Sequence, residues 1–264
     1  MRIARYSSQG RVTFGVVEGD LADAAALTVR AVDGHPFAPF EIVGEPESLG
    51  SVRLLSPVLP SKVVAIGRNY AEHAKEMGAE PDDVPIVFLK PSTSVIGPGD
   101  AIRYPTGISS DVHYEGELAV VIARLCREVP VERARDVVLG FTCANDVTAR
   151  DLQRAETQWG RAKGFDTFCP IGPWVETDLT ETLAGDLAVT TTVNGELRQA
   201  GRTSQMIHGV AELIAHVTQA MTLLPGDVIL TGTPAGVGPL HVGDEVAVTI
   251  EGVGTLTNPV AARA

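Results

Sequence analysis

Three acidic residues near the middle of the chain have the types and spacing to bind a metal ion together. Glu115 and Glu117 lead into one apolar run, and Asp146 closes another. They offer three carboxylates and no thiolate, which is the donor set of a hard divalent cation. Three protein ligands leave room on such an ion for water or substrate, so the pattern points to a metal that takes part in chemistry.

The elements expected around these residues would bring the carboxylates together. Residues 118–122 are all apolar and predict a buried strand, and period-two alternation sends Glu115 and Glu117 to the same side. Residues 137–145 predict a second strand, whose end would present Asp146. Like charges this close repel each other unless a cation lies between them. The alternative is a solvated edge strand followed by a turn residue, and spacing alone leaves both interpretations open.

His113 has the same strand parity as the two glutamates. It could be a fourth ligand or donate a hydrogen bond to a carboxylate, and a loop position before the strand fits equally well. Four other histidines have no partner at metal-binding spacing, and we expect them to be structural or exposed: His35, His208, His216 and His241.

A second pair of residues has the spacing of a general base and its orienting partner. Residues 69–77 lie between Gly67 and Gly78 and are mostly good helix formers, which predicts a short helix with flexible ends that could serve as a lid. His73 and Glu76 would share a face of this helix, where the carboxylate can orient the imidazole and raise its basicity so that it activates water. The alternative is two ordinary exposed residues of a surface helix.

Basic residues follow the third carboxylate. Arg150 and Gln153 would share one face of a helix, and Lys163 stands among small and aromatic residues. An arginine can bind a carboxylate through two hydrogen bonds, so cations gathered near three carboxylates indicate an anionic substrate. Each cation taken singly could instead pair with a neighbour such as Asp151 or Asp166, and only their joint occurrence favours substrate binding.

Residues 231–238 form a glycine-rich segment that resembles a phosphate-binding loop only superficially. The segment lacks the Gly-Lys-Ser/Thr ending of a P-loop, and no helical pattern follows it. We interpret it as a wide turn after a strand, which would bring backbone amides and the Thr233 hydroxyl near a bound ligand.

Composition excludes several classes of protein. The chain has 264 residues, is 44% hydrophobic and carries a net charge of -12 without any basic cluster, which argues against a nucleic-acid partner. Cys126, Cys143 and Cys169 are odd in number and lack C-x-x-C spacing, as expected of core thiols in a reducing compartment. Because no signal segment and no apolar run of about 20 residues occurs, we expect a soluble, cytoplasmic protein without a membrane partner.

Strand signals dominate the rest of the chain. Asn194-Gly195 predicts a tight hairpin, and apolar residues stepping by three and four over 207–221 predict one amphipathic helix. Prolines near residue 58 mark a boundary between a small N-terminal β domain, residues 1–57, and a larger catalytic domain, residues 58–264. With few, scattered helices, the pattern predicts a mixed β-rich (α+β) fold and not a doubly wound one.

Six segments in consistent order together resemble the fumarylacetoacetate hydrolase family. They span roughly residues 60 to 262, and the start of the chain is similar to the small N-terminal domain of shorter bacterial members. Within the family, the chain is most similar to bacterial 2-hydroxyhepta-2,4-diene-1,7-dioate isomerases and 5-carboxymethyl-2-oxohex-3-ene-1,6-dioate decarboxylases. The segments are IGRNYAEH at 66–73, FLKP at 88–91, HYEGEL at 113–118, NDVTARD at 145–151, KGFD at 163–166 and LTGTP at 230–234.

The resemblance implies a catalytic domain of β-roll or β-sandwich type, a homodimer, and a bound Mg²⁺ or Mn²⁺ ion for which Ca²⁺ could substitute. Carried over position by position, it implies three metal ligands, three catalytic residues and three substrate-binding residues. The ligands are Glu115, Glu117 and Asp146, the catalytic residues are His73, Glu76 and Lys163, and the substrate-binding residues are Arg150, Gln153 and Thr233. We place no counterpart in this sequence for the additional upstream metal carboxylate of long eukaryotic members, so the resemblance does not assign fumarylacetoacetate as the substrate.

The expected function is a metal-dependent enzyme acting on small 2-oxo or 2,4-dioxo acids in the catabolism of aromatic compounds. Hydrolysis of a C–C bond, decarboxylation and keto–enol isomerisation all pass through an enolate that a metal can stabilise, so all three stay open. An acylpyruvate hydrolase, an oxaloacetate decarboxylase or a tautomerase is the alternative enzyme. A non-catalytic protein that binds a metal or a dicarboxylate is the alternative from another class, against which His73 and Glu76 argue, since binding needs no general base.

Overall fold

The computed structural model describes residues 1–78, 80, 83–179, 183 and 185–263, and strands dominate them. The α-helices of this part of the chain are Ala71–Glu76 (α1), Arg150–Ala155 (α2), Gly160–Lys163 (α3) and Val210–Ala220 (α4). Strands β1 to β21, in chain order, are Arg2–Ser8, Arg11–Glu18, Thr28–Gly34, Phe40–Ile42, Glu47–Ser48, Arg53–Leu55, Val63–Gly67, Ile86–Lys90, Val95–Ile96, Ile102–Tyr104, Val112–Tyr114, Gly116–Ile122, Val138–Asn145, Thr148–Ala149, Cys169–Glu176, Ala188–Val193, Glu196–Arg202, Val228–Leu230, Gly238–Pro239, Glu245–Ile250 and Gly254–Ala262. The prediction of a mixed β-rich fold is confirmed.

One large sheet runs through the molecule and carries the site at its centre. Its strand order is β4-β3-β2-β1-β15-β13-β12-β18-β7-β8, with three short strands beside this path. Strand β12 pairs antiparallel with β13 on one side and with β18 on the other, and each of its seven residues is buried. Coverage on both faces explains why residues 118–122 read as an unbroken apolar run.

The N-terminal strands extend the same sheet. Strand β1 pairs with β2 and β6, and also with β15 through Arg2 opposite Glu176 and Ile3 opposite Val175. The N-terminal segment is therefore joined to the remainder of the chain by strand pairing within one sheet and by a small apolar cluster around Trp174. The division into two domains near residue 58 stays a prediction.

A second sheet of five strands, in the order β10-β21-β20-β16-β17, packs against the large one. Strands β16 and β17 form the hairpin predicted from Asn194-Gly195, whose φ angles are 52° and 80°. Positive φ at both positions is what this type of two-residue turn requires. A third sheet contains β11 between β14 and β19.

Helix α4 closes the main core on the outside of the sheets. It buries Val210, Leu213, Ile214 and Val217 along one face, in agreement with the predicted three-and-four spacing. The helix begins after Gly209 and not at residue 207, and Ile207 N donates to the carbonyl of Asn69. Within the described part of the chain, no helix has the length and apolarity that a membrane span requires.

The three cysteines are buried free thiols, as predicted. Burial raises the pKa of Cys143 and of Cys169 to about 12. Both thiols are therefore protonated at neutral pH, which leaves them without the thiolate that nucleophilic chemistry needs.

Candidate active site

The three predicted metal ligands meet at the ends of two paired strands. Glu115 directly precedes β12, Glu117 lies in it, and Asp146 directly follows β13. The register that sets Gly116 opposite Asn145 brings the carboxylates together, and Asp146 N donates to Glu115 O at 2.8 Å. One oxygen from each of the three lies within 4.8 Å of the others. All three residues are at most 4% exposed, so the alternative of a solvated edge strand is wrong. We call these residues the acidic triad.

The predicted cations contact this triad directly. Lys163, the last residue of α3, donates from Nζ to Glu115 Oε2 at 2.8 Å and to Asp146 Oδ2 at 2.6 Å. Arg150, the first residue of α2, forms an ion pair with Glu115 and donates to Gln153 Oε1 at 2.8 Å. Both cations are 2% exposed. Arg150 and Lys163 therefore pair with the acidic triad and not with Asp151 or Asp166, as the alternative interpretation had it.

A second buried lysine belongs to the same cluster and was not predicted as a site residue. Lys90 ends β8 and donates from Nζ to Asp146 Oδ1 at 2.5 Å. It is 1% exposed, and a buried ammonium needs such a partner because burial removes its hydration. The signal available in the sequence was a lysine closing an otherwise apolar strand, just before Pro91.

The charges shift the pKa values of the two glutamates in opposite directions. Burial alone would raise the pKa of Glu115, but the Arg150 guanidinium and the Lys163 ammonium hold it below its ordinary value. Burial, then the charges of Asp146 and Glu115, raise the pKa of Glu117 well above its ordinary value. A divalent cation among the three carboxylates would remove this penalty on an ionised Glu117, so the donor set fits a hard metal ion.

The predicted lid helix is α1, and it lies against the site. His73 is 5% exposed and its Nδ1 lies 3.2 Å from Glu76 Oε2. The Glu76 carboxylate also accepts hydrogen bonds from Gly236 N, at 3.1 Å to Oε1 and 3.2 Å to Oε2. His73 is therefore not an exposed residue of a surface helix, and Glu76 ties the helix to the glycine-rich loop.

That loop, residues 231–238, touches both the triad and the lid helix. Gly232 N donates to Glu117 Oε2 at 2.6 Å, and Thr233 Oγ1 donates to the carbonyl of Gly116 at 2.9 Å. Gly232 has φ 97°, and a Cβ there would lie 2.7 Å from the Cβ of Asn69, so the position requires glycine. As predicted, the segment is a turn after a strand that directs backbone amides and Thr233 into the site.

Most of these groups line one cavity of about 180 Å³. Its lining includes every predicted site residue except Glu76 and Asp146, which contact lining residues directly. Sequence reasoning missed Arg68, Arg154 and Trp159, which also line it. The Arg68 guanidinium lies over the Trp159 ring at 5.7 Å, and a Cβ on Gly67 would lie 2.5 Å from that ring.

His113 does not contact the triad. Its Nε2 lies 2.7 Å from Asp111 Oδ1, and the other oxygen of Asp111 accepts a hydrogen bond from Arg154 at 2.6 Å. Burial and the Arg150 charge lower the pKa of His113, which favours a neutral imidazole. Of the roles left open by the sequence, the structure shows neither a fourth ligand nor a donor to the carboxylates.

Comparison with known proteins shows the family to which this chain belongs. Residues 62–261 match the family model described as fumarylacetoacetate (FAA) hydrolase C-terminal, and residues 1–57 match one described as Rv2993c-like, N-terminal. Protein Rv2993c of Mycobacterium tuberculosis is 52% identical over 260 residues, which are 98% of each chain. Oxaloacetate tautomerase YisK of Bacillus subtilis is 44% identical over 224 residues, 81% of this chain and 74% of that protein.

A solved structure shows the same fold over the whole chain. The crystal structure of 2-hydroxyhepta-2,4-diene-1,7-dioate isomerase from Mycobacterium marinum is 49% identical, covers 100% of this chain and 99% of its own, and has a TM-score of 0.92. The family match alone covers well over half of the chain. The chain belongs to the fumarylacetoacetate hydrolase family.

Proposed function

We propose that the protein is a divalent-metal-dependent enzyme that isomerises short 2-oxo acids by moving a proton between carbon and oxygen. The observation that carries this proposal is that His73, supported by Glu76, lines the same cavity as Glu115 and Glu117 of the acidic triad. The names of the relatives agree, since one is an oxaloacetate tautomerase and another a hydroxyheptadienedioate isomerase. Both names describe isomerisation of an oxo acid or its enol.

In this proposal Glu115, Glu117 and Asp146 hold Mg²⁺ or Mn²⁺, with Ca²⁺ as a substitute. When bound, the ion would supply a Lewis acid that stabilises the negative charge of an enolate. The chain itself supplies the remaining positive charge through Lys163 and Arg150, which are buried beside the same carboxylates. Lys163 would offset charge on the enolate oxygen, and Arg150, Gln153 and Thr233 would bind the acid.

The charges of the buried cluster favour a dianionic substrate. Three carboxylates face three cations, Lys90, Lys163 and Arg150, so the fully ionised cluster has no net charge. A divalent cation would add two positive charges in a buried place, and a doubly charged acid would offset them. Unsaturated dioates from aromatic ring cleavage and oxaloacetate both have this charge, which supports a role in aromatic catabolism or in oxaloacetate processing.

Proton transfer in this proposal falls to His73. Its Nδ1 faces the Glu76 carboxylate at 3.2 Å, which leaves Nε2 as the nitrogen that can meet a substrate. His73 Nε2 takes the proton from the carbon beside the carbonyl, and the imidazolium then gives that proton to the enolate oxygen, which yields the enol. The Glu76 carboxylate stabilises the imidazolium that forms between the two steps. The homodimer and the cytoplasmic location stay predictions.

The test is an assay panel with matched histidine variants. Oxaloacetate, acylpyruvates and 2-hydroxyhepta-2,4-diene-1,7-dioate are followed by ultraviolet absorbance with added Mg²⁺ and with chelator. We expect metal-dependent isomerisation of at least one acid, and a loss of about a hundredfold or more in kcat for His73→Ala. His241→Ala is the control, because His241 is 73% exposed in a turn.

Two outcomes would contradict the proposal. Turnover by His73→Ala equal to that of the unmodified chain would remove the general base from the mechanism. Tight metal binding without turnover of any acid would instead favour a non-catalytic protein that binds metal or dicarboxylate.

A further inference from the structure

Gln199 is a fully buried residue of β17 whose side-chain amide connects two parts of the site. Its Oε1 accepts a hydrogen bond from Gly116 N at 3.0 Å. Its Nε2 donates to Thr233 Oγ1 at 2.7 Å and to the carbonyl of Pro234 at 2.8 Å. Thr233 Oγ1 in turn donates to the carbonyl of Gly116 at 2.9 Å, which closes a ring of hydrogen bonds.

One side of this ring holds the backbone between two ligands of the acidic triad. Gly116 separates Glu115 from Glu117, and both its N–H and its carbonyl are bound within the ring. A Cβ on Gly116 would lie 2.1 Å from Thr191 Oγ1, so the backbone packs closely against β16. Strands β16 and β17 therefore support the backbone between the two carboxylates, although they contribute no residue to the cavity lining.

The other side of the ring holds the loop that reaches the lid helix. The loop contacts Glu117 through Gly232 N at 2.6 Å and Glu76 through Gly236 N at 3.1 Å. A Cβ on Gly236 would lie 2.3 Å from the carbonyl of Arg198, so the loop rests on the backbone next to Gln199. Gln199 thus contacts the middle of a continuous path that leads from the Glu117 carboxylate, through the loop, to Glu76 and His73.

We propose that Gln199 is a positioning residue that couples the acidic triad to the lid helix through the 231–238 loop. The inference rests on the proposed function, because it assigns a consequence to metal binding at the triad. Occupation of the triad orders Glu117, and Glu117 holds Gly232. Through the anchored loop, this order reaches Glu76 and with it His73. Coupling of this kind is reciprocal, so the lid helix also affects the affinity for metal.

The experiment compares Gln199→Met, which removes all three hydrogen bonds at similar volume, with the unmodified chain. Hydrogen exchange by mass spectrometry reports the protection of residues 70–78, with and without Mn²⁺, and calorimetry gives the Mn²⁺ affinity. We expect Mn²⁺ to slow exchange over residues 70–78 in the unmodified chain and to leave it unchanged in the variant. The Mn²⁺ affinity should fall about tenfold to a hundredfold, as when outer partners of metal ligands are removed.

Control variants separate coupling from general loss of structure. Gln219→Met places the same side chain on the exposed part of α4 and should behave like the unmodified chain. Thr233→Val removes only the hydroxyl from the ring of hydrogen bonds. It replaces Gln199→Met as the test variant if Gln199→Met does not fold. A merely structural role would speed exchange equally with and without Mn²⁺, whereas the proposal requires loss of the metal-induced difference.

The possible failures are distinguishable. If the unmodified chain neither binds Mn²⁺ nor turns over any acid, the proposed function fails, and this inference fails with it. If the unmodified chain binds Mn²⁺ and Gln199→Met keeps both its affinity and the metal-induced protection of residues 70–78, the inference alone is overturned.

Discussion

At the scale of single residues, the site combines charges whose individual burial would be unfavourable. Glu117 is 1% exposed, and its charge is opposed by Asp146 and Glu115 more than it is helped by Lys163. Its pKa is therefore raised, so the metal-free protein holds a proton on this carboxyl into a pH range where the unfolded chain has lost it. A metal ion and this proton compete for the same oxygens.

Glu117 yields a prediction about pH. Because Glu117 binds a proton more strongly in the folded state, the stability of the metal-free protein should fall as pH rises above the ordinary carboxyl value towards the raised one. Mn²⁺ binding should release a proton, and Mn²⁺ affinity should increase with pH over the same range. Calorimetry in two buffers of different ionisation enthalpy measures the proton release.

The matched variant for this prediction is Glu117→Gln. It should stabilise the metal-free protein at neutral pH, because a neutral amide replaces a carboxyl whose ionised form is disfavoured. It should also weaken Mn²⁺ binding and abolish the proton release. Unchanged proton release in Glu117→Gln would show that another group supplies the proton.

At the scale of elements, the site depends on how a few short segments meet. The acidic triad lies at the ends of β12 and β13. Helices α2 and α3 carry Arg150 and Lys163, and α1 carries His73 and Glu76. The 231–238 loop connects β12 to α1 through hydrogen bonds of its backbone and of Thr233. Its glycines matter where the backbone comes close to other chain segments.

Gly236 gives a prediction at this scale. A Cβ at this position would lie 2.3 Å from the Arg198 carbonyl, so Gly236→Ala should displace the loop from Glu76. Misplacement of a catalytic group by about 1 Å costs on the order of a hundredfold in rate, and we expect a loss of that size in kcat. Steady-state kinetics and circular dichroism measure activity and folding together.

Gly243→Ala is the matched control for this loop variant. Gly243 has φ 100°, close to the 99° of Gly236, but nothing lies within 4 Å of its Cβ position. Both alanines therefore meet similar backbone strain, and only Gly236→Ala adds the clash. Equal losses of kcat in the two variants would assign the effect to strain and not to the position of Glu76.

At the scale of the whole molecule, the N-terminal segment and the larger part of the chain share one sheet. Strand β1 covers the edge of β15, and the Met1 amino group pairs with Glu176 at 2.9 Å. Ala4, Tyr6, Val17, Leu27 and Val29 pack with Trp174 in one apolar cluster. The predicted division near residue 58 can be tested because these contacts cross it.

Removal of residues 1–57 should destabilise the remainder. It uncovers Trp174, which is 5% exposed, and leaves a strand edge open to pairing with other molecules. Loss of this burial should cost about 3 kcal/mol, which corresponds to a fall in Tm on the order of 10 °C. Thermal unfolding and size-exclusion chromatography of the shortened chain measure both effects. A monodisperse chain with unchanged Tm would instead show two independent units.

Much of the site could be predicted because its signals are local. Alternation around Glu115 and Glu117, the spacing of His73 and Glu76, and the Asn194-Gly195 turn follow from strand and helix periods that any chain obeys. Residue order along the family's motifs extended the prediction to Arg150, Gln153, Lys163 and Thr233. The roles of all these site residues in metal binding, catalysis and substrate binding stay predictions.

The sequence by itself determined the β-rich character of the fold, the Asn194-Gly195 hairpin and the family resemblance, because these depend on neighbours within a few positions or on ordered motifs. The convergence of the three carboxylates, which spacing alone left open, came with the pairing of β12 and β13. Only the tertiary structure decided the partners across the fold. Lys90 reaches Asp146 across 56 positions and Gln199 reaches Gly116 across 83, and no local period signals contacts of that separation. Such pairs depend on strand order and register, which arise when the whole core packs and every buried charge must find a partner.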